Sequence, residues 1–291
     1  MRKIKLFLKK IWLSVFKEHP YTRVGAILDS ILPESYKKKY YNDFWYRKGL
    51  LADIMRHHIS RQHYMSCDDD IRKINRNKLW GGDSGKKWHD VKKKLWSDKD
   101  EFEKQYLKLG RPLALQITDL ISSAPGSYHT VCDMGTGNGM FLNWLSGQVS
   151  GIRKFIGIDL NKEQVAENKE TYKNTGLEFF YSEITDWINT RCGAGTIFVT
   201  CGVFEYFAQH ELVRLFESIR NRAHPAAIAI IEPINLDLVS EFMSKPRGNI
   251  AYSHNYPYLF NKCGYNVFRQ KVESFDPKVP FYSCVIMVAT L

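Results

Sequence analysis

From residue 111 to the C-terminus, short continuous apolar runs rich in β-branched residues alternate with segments of helical periodicity. Runs apolar at every position, rather than at every second one, suit strands buried on both faces. A largely parallel sheet sandwiched between helices buries them in that way. Strands are predicted over 128–133, 154–159, 177–183, 196–201 and 227–232. Between them a helix is expected around 141–145. A second starts at the N-cap Asn161, with Gln164 three residues on, and stops near Gly176, and a third covers 209–222. Two last strands, 266–273 and 281–289, are joined by a Pro-containing turn too short for a crossover helix, so they must pair antiparallel. The expectation for 111–291 is an α/β domain. It has a seven-stranded sheet of five parallel strands closed by an antiparallel hairpin, with helices on both faces.

The first third reads differently. Residues 1–110 carry 26 Lys and Arg against 14 Asp and Glu, whereas 111–291 carry 16 against 17, so the net charge of +11 belongs to the front. This region is predicted to be a basic, mainly helical N-terminal extension or cap, helical over 35–65 and 86–108 with a turn at Gly81-Gly82-Asp83-Ser84-Gly85. Within 1–18, Ile4, Leu8, Ile11 and Val15 fall on one helical stripe widened by Phe7 and Trp12, with Lys5, Lys9 and Lys10 off it. A basic amphipathic helix of that kind lies in the interface of an anionic membrane or docks on the protein's own core. No run approaches the roughly 20 apolar residues of a membrane span. The six cysteines form no C-x-x-C pair and no metal spacing with His, which fits free thiols in a reducing cytoplasm.

The segment Asp133-Met134-Gly135-Thr136-Gly137-Asn138-Gly139 joins the first strand to its helix. Glycines there let backbone approach a ligand closely. A dinucleotide fingerprint would need glycine at 140, where this chain has Met140. The carboxylate of Asp133 would repel a pyrophosphate but suits a ligand carrying ammonium and sulfonium groups. On these residues 111–291 resembles the class I, Rossmann-like S-adenosylmethionine-dependent methyltransferases, terminal hairpin included.

The resemblance implies S-adenosyl-L-methionine as cofactor, with Asp133, Gly135, Gly137 and Gly139 cradling its amino acid part. Asp159, at the tip of the second strand, would accept from the ribose hydroxyls and Leu160 would pack on adenine. Glu183, where the family commonly has Asp, and Ile184 would meet the adenine edge. Cys201 and Gly202 would line the sulfonium. Arg111, before the first core helix, is a candidate fork for the cofactor carboxylate.

Methyl transfer from a sulfonium chiefly needs alignment and exclusion of water. A hydroxyl acceptor also needs a nearby base. His254 is the first candidate, because histidine alone is near neutral pKa without help. Glu205, after the fourth strand, is the second. Glu205, Glu232 and Asp237 show no metal-ligand pattern, so no metal is expected. The expected acceptor is a sugar or lipid-carried glycan at the cytoplasmic membrane face, with the protein peripheral on an anionic surface. A small-molecule acceptor, with the front third as a lid, is the alternative. Nucleic acid is disfavoured, since no Asn-Pro-Pro-Tyr-type motif follows the fourth strand, and a non-catalytic scaffold would be expected to lose Asp133 or the glycines.

Overall fold

The computed structural model describes residues 20–42, 48–61, 68–97, 102–103, 107–235, 244–247, 250–274 and 283–291. The helix expected within 1–18, Cys67, Asp237 and the turn between the last two strands lie outside them. The chain divides into two compact units, Met1–Ser84 and Gly85–Leu291.

The first unit is helical where it is described: α1 (Pro20–Ile31), α2 (Glu34–Asn42), α3 (Leu50–Ile59) and α4 (Asp69–Trp80). Met55, Ile59 and Leu79 are buried in it, and the buried His58 of α3 reaches Asp29 of α1 at 3.5 Å. Asp68 caps α4, its Oδ1 accepting from the N–H groups of Asp70 and Ile71 at 2.9 and 3.0 Å. The glycine turn is narrower than expected, because α5 (Asp83–Trp96) already begins at Asp83, an acidic residue suited to a helix's first turn.

The second unit continues with α6 (Lys108–Ser123), β1 (Thr130–Met134), α7 (Met140–Ser146), β2 (Lys154–Asp159), α8 (Lys162–Thr171) and β3 (Leu177–Tyr181). Then come α9 (Ile184–Arg191), β4 (Thr196–Cys201), a 3₁₀ turn (Phe204–Tyr206), α10 (Gln209–Arg222) and β5 (Ala226–Ile234). A small hairpin, β6 (Lys245–Arg247) and β7 (Ala251–Ser253), precedes α11 (Tyr256–Lys262), β8 (Asn266–Ser274) and β9 (Ser283–Thr290).

The sheet order is β3-β2-β1-β4-β5-β9-β8. Strands β1 to β5 pair parallel, and β9 pairs antiparallel with both β5 and β8. The terminal hairpin is therefore present, with its second strand inserted next to β5, so β9 alone runs against the rest. Two apolar layers flank the sheet. One face packs Cys132, Phe198, Ile228 and Met287 against α9, α10 and α11; the other packs Val131, Val199, Ala229 and Ile286 against α6 and α7. Adjacent residues of one strand serve opposite layers, which explains the continuous apolar runs. The chain order reverses between β1 and β4, and in such sheets the crevice at the carboxyl ends of those strands is where ligands bind.

Two elements of the second unit escape the sequence patterns. Helix α9 replaces the end of the expected third strand, because Glu183 leaves the sheet to cap it. The hairpin β6–β7 is too short and polar to register as strand.

Candidate active site

The crevice is framed first by the turn after β1. The N–H groups of Gly135 and Thr136 donate to the Ile158 carbonyl at 2.8 and 2.9 Å, tying the turn to β2. Gly135 has φ +74°, and a Cβ there would lie 2.7 Å from Val203 Cγ2, so only glycine lets the two loops meet. Gly137 (φ +54°) donates its N–H to Asp159 Oδ2 at 2.9 Å, and its carbonyl accepts from Asn168 Nδ2 at 2.7 Å. Gly139, also at positive φ, opens α7. Asp159 Oδ1 accepts from the Asn161 N–H at 2.8 Å, and Asn161 caps α8 by accepting from the Gln164 N–H at 2.9 Å.

Asp133 and Asp159 are both buried here. Burial pushes the Asp133 carboxyl up to about 7, the charge of Asp159 adds to the rise, and the Thr136 hydroxyl opposes it. Two buried carboxyls, one held up chiefly by burial and further by the like charge of the other, suit a ligand that brings positive charge and hydroxyl donors. They would expel a phosphate.

Leu160 follows half-buried. Glu183 is buried, and its Oε2 accepts from the Thr185 and Asp186 N–H groups at 2.6 and 3.3 Å and from the Thr185 hydroxyl. Any ligand contact from Glu183 thus shares a carboxylate already engaged as a helix cap. Ile184, buried, is the first residue of α9. Arg111 stands apart from the expected pairing: its side chain is exposed, and its Nη2 donates to both carboxylate oxygens of Glu103 at 2.8 and 2.7 Å.

Across the crevice, Cys201 ends β4 half-buried and Gly202 (φ +65°) turns the chain. The loop beyond is pinned by Glu232 of β5, which is fully buried. Its Oε1 accepts from the Thr200 hydroxyl and the N–H groups of Val203 and Phe204 at 3.1, 3.0 and 3.0 Å, and its Oε2 from the Glu205 N–H at 3.2 Å. Burial nevertheless pushes the Glu232 carboxyl up to about 7, against those donors. Glu205, buried, forms an ion pair with Arg247 of β6.

His254 requires a correction. It lies buried between Tyr252 and Tyr256, ring centroids 5.8 and 5.4 Å away, and its Nδ1 is hydrogen-bonded to the Ser244 hydroxyl. Burial pushes its pKa down to about 3. The expectation that it titrates near neutrality does not hold, and an imidazole so reluctant to take a proton is a poor general base. Among the described residues no group of three His, Cys, Asp or Glu side chains is arranged to hold a metal ion. The five described cysteines are free.

The residues most clearly missed lie on α5. His89 stands over Gly137, with its Cε1 and Nδ1 each 3.2 Å from where a Cβ of that glycine would sit. Lys86 donates to Glu167 Oε2 of α8 at 3.0 Å, and Lys93 bonds the other oxygen of the same carboxylate. Lys92 is near enough to Cys201 to feel its charge, and burial pushes its ammonium down. A helix was expected over this stretch, but nothing local marks His89; the one signal is its place on a stripe with Lys86 and Lys93.

Residues 131–226 match the family model of a methyltransferase domain. Among curated proteins no sequence matches the chain. Among solved structures, the chain resembles magnesium protoporphyrin IX methyltransferase from Synechocystis PCC 6803 with bound S-adenosylmethionine, at 14% identity and TM-score 0.53, covering 77% of this chain and 99% of that one. The same enzyme with bound S-adenosylhomocysteine gives 14% and 0.53, covering 75% and 99%. A S-adenosylmethionine-dependent methyltransferase from Aquifex aeolicus is 23% identical with TM-score 0.40, covering 63% and 96%.

Proposed function

We propose that this chain, an S-adenosylmethionine-dependent methyltransferase by its domain and fold, methylates a hydroxyl of a sugar or lipid-carried glycan at the cytoplasmic face of a membrane. The observation that carries the cofactor reading is the buried pair Asp133 and Asp159 around the glycine turn, where the one charge raising Asp133 is itself negative. When bound, S-adenosylmethionine supplies an electrophilic methyl group on a sulfonium. Asp133 with Gly135, Gly137 and Gly139 would hold its amino acid end, and Asp159 its ribose hydroxyls. Leu160, Glu183 and Ile184 would border the adenine, with Cys201 and Gly202 on the sulfur side. The remaining demand is alignment of the acceptor and exclusion of water.

On the acceptor side, Glu205 would take the hydroxyl proton. Arg247 orients it, and Glu232 fixes its backbone. His254, buried and held uncharged, takes no part in moving the proton. The sugar reading draws on this polar, hydrogen-bonding end and on the basic, Tyr- and Trp-rich first third; the membrane reading draws on residues 1–18. No helix among the described residues is long and apolar enough to cross a membrane. A small-molecule acceptor is the second reading, favoured by α5 lying over Gly137 as a lid would.

The test is transfer of radiolabelled methyl to envelope glycans, small phenols and RNA, with flotation on anionic vesicles alongside. Labelled glycan is expected, with Arg247→Ala raising acceptor KM about tenfold while cofactor affinity holds, the loss of one charged contact. Label confined to phenols or to RNA would refute the glycan acceptor.

A further inference from the structure

Lys86, His89 and Lys93 are spaced i, i+3 and i+7, so they share one stripe of α5. Both lysines end on Glu167 of α8 and hold its carboxyl below the usual range. The stripe is thereby docked at two points on either side of His89, which fixes where the imidazole lies. That place is the face of Gly137, whose N–H Asp159 grips and whose carbonyl Asn168 holds. The Asp159 carboxylate also acts on the imidazole electrostatically, yet burial dominates and keeps the ring uncharged. Among the described residues none hydrogen-bonds either ring nitrogen. A half-buried neutral imidazole beside a carboxylate, with one N–H donor and one acceptor unspent among the described residues, is suited to a hydroxyl that gives one hydrogen bond and takes another.

We propose that His89 is a cofactor-binding residue that donates to a ribose hydroxyl of S-adenosylmethionine whose own proton goes to Asp159. A carboxylate only accepts, so Asp159 cannot satisfy the hydroxyl's lone pairs; the imidazole N–H of His89 does. The Lys86–Glu167–Lys93 pairing serves as the support that holds α5 in place. This inference rests on the cofactor reading of the site around Asp133 and Asp159.

Calorimetric titration of S-adenosylhomocysteine and its 2′-deoxy and 3′-deoxy analogues into the full-length wild type, His89→Ala and His89→Gln tests it. Binding of S-adenosylhomocysteine to the wild type tests the underlying reading by itself; its absence overturns that reading and this inference with it. Given binding, His89→Ala is expected to weaken S-adenosylhomocysteine about tenfold, the value of one hydrogen bond to a buried partner. His89→Gln, which keeps an N–H donor, should recover part of the loss. One of the two deoxy analogues should bind wild type and His89→Ala equally, because the hydroxyl is already missing. Unchanged affinity in His89→Ala, or the same fold loss with all three ligands, would assign His89 to packing alone and overturn the proposal. If His89→Ala does not fold, the comparison of His89→Gln with wild type across the three ligands decides the matter on the same pattern.

Discussion

The two sides of the crevice between β1 and β4 are built by different means. The β1 side is a contiguous turn whose chemistry is mostly backbone: three glycines at positive φ, with one carboxylate before them and another at the tip of the neighbouring strand. The β4 side is assembled from side chains far apart in sequence. Glu232 reaches back to residues 200–205, and Arg247 comes from a separate hairpin to meet Glu205. A site made of backbone and adjacent strand tips constrains its own sequence locally, whereas a site made of long-range pairs leaves no local trace. The first suits a ligand that stays the same; the second can be rebuilt for each acceptor without disturbing it.

The β4 side is most vulnerable at Glu232. Replacing it with alanine leaves the N–H groups of Val203, Phe204 and Glu205 without their acceptor and should cost about 4 kcal/mol, since each stranded buried donor costs roughly 1–3 kcal/mol. Denaturant unfolding would measure this, and a loss below about 1 kcal/mol would mean that the β4 loop does not depend on its distant anchor.

On the other side, Asp159→Ala should weaken S-adenosylhomocysteine on the order of a hundredfold, as expected for lost hydrogen bonds to a buried charge. Unchanged affinity by calorimetry would remove the cradle reading.

A smaller effect comes from Asp133, whose carboxyl stands at about 7 without a ligand. A cationic cofactor favours the ionised form, so binding must release a proton below that pH. Affinity should therefore rise with pH, by at most about tenfold per unit, until about pH 7 and then level off. Asp133→Asn should flatten the rise, and a wild-type affinity indifferent to pH between 5 and 7 would contradict it.

The smallest effect is expected at Arg111. Its exposed pair with Glu103 is worth about 0–1 kcal/mol, and Arg111→Ala should leave cofactor affinity within twofold. A tenfold loss would return Arg111 to the cofactor site.

The same contrast governs what could be read from the chain. All seven core strands lie within two residues of their expected places, because most are largely apolar runs, and Lys154–Asp159 and Thr196–Cys201 coincide end to end. The N-cap at Asn161 is also where its side chain implies. Glu183 is expected at the tip of the third strand, but a carboxylate that satisfies two helix N–H groups gains more as a cap than as a strand residue. His254 reads as a titrating base because sequence carries residue type but not burial, and burial chiefly decides its charge. His89 and Arg247 were invisible for a related reason. Each is one polar residue in a basic stretch, and its partner lies far along the chain.

The central claim is that the turn at 133–139 and the carboxylate of Asp159 grip one nucleoside with its sulfur toward Cys201 and Gly202. A crystal structure of the full chain with S-adenosylhomocysteine tests this directly. The expected result has both ribose hydroxyls within hydrogen-bond distance of Asp159, the ammonium group against Asp133, and the sulfur facing Cys201. A thioether ligand bound elsewhere, or a crevice that accepts a dinucleotide in its place, would contradict it.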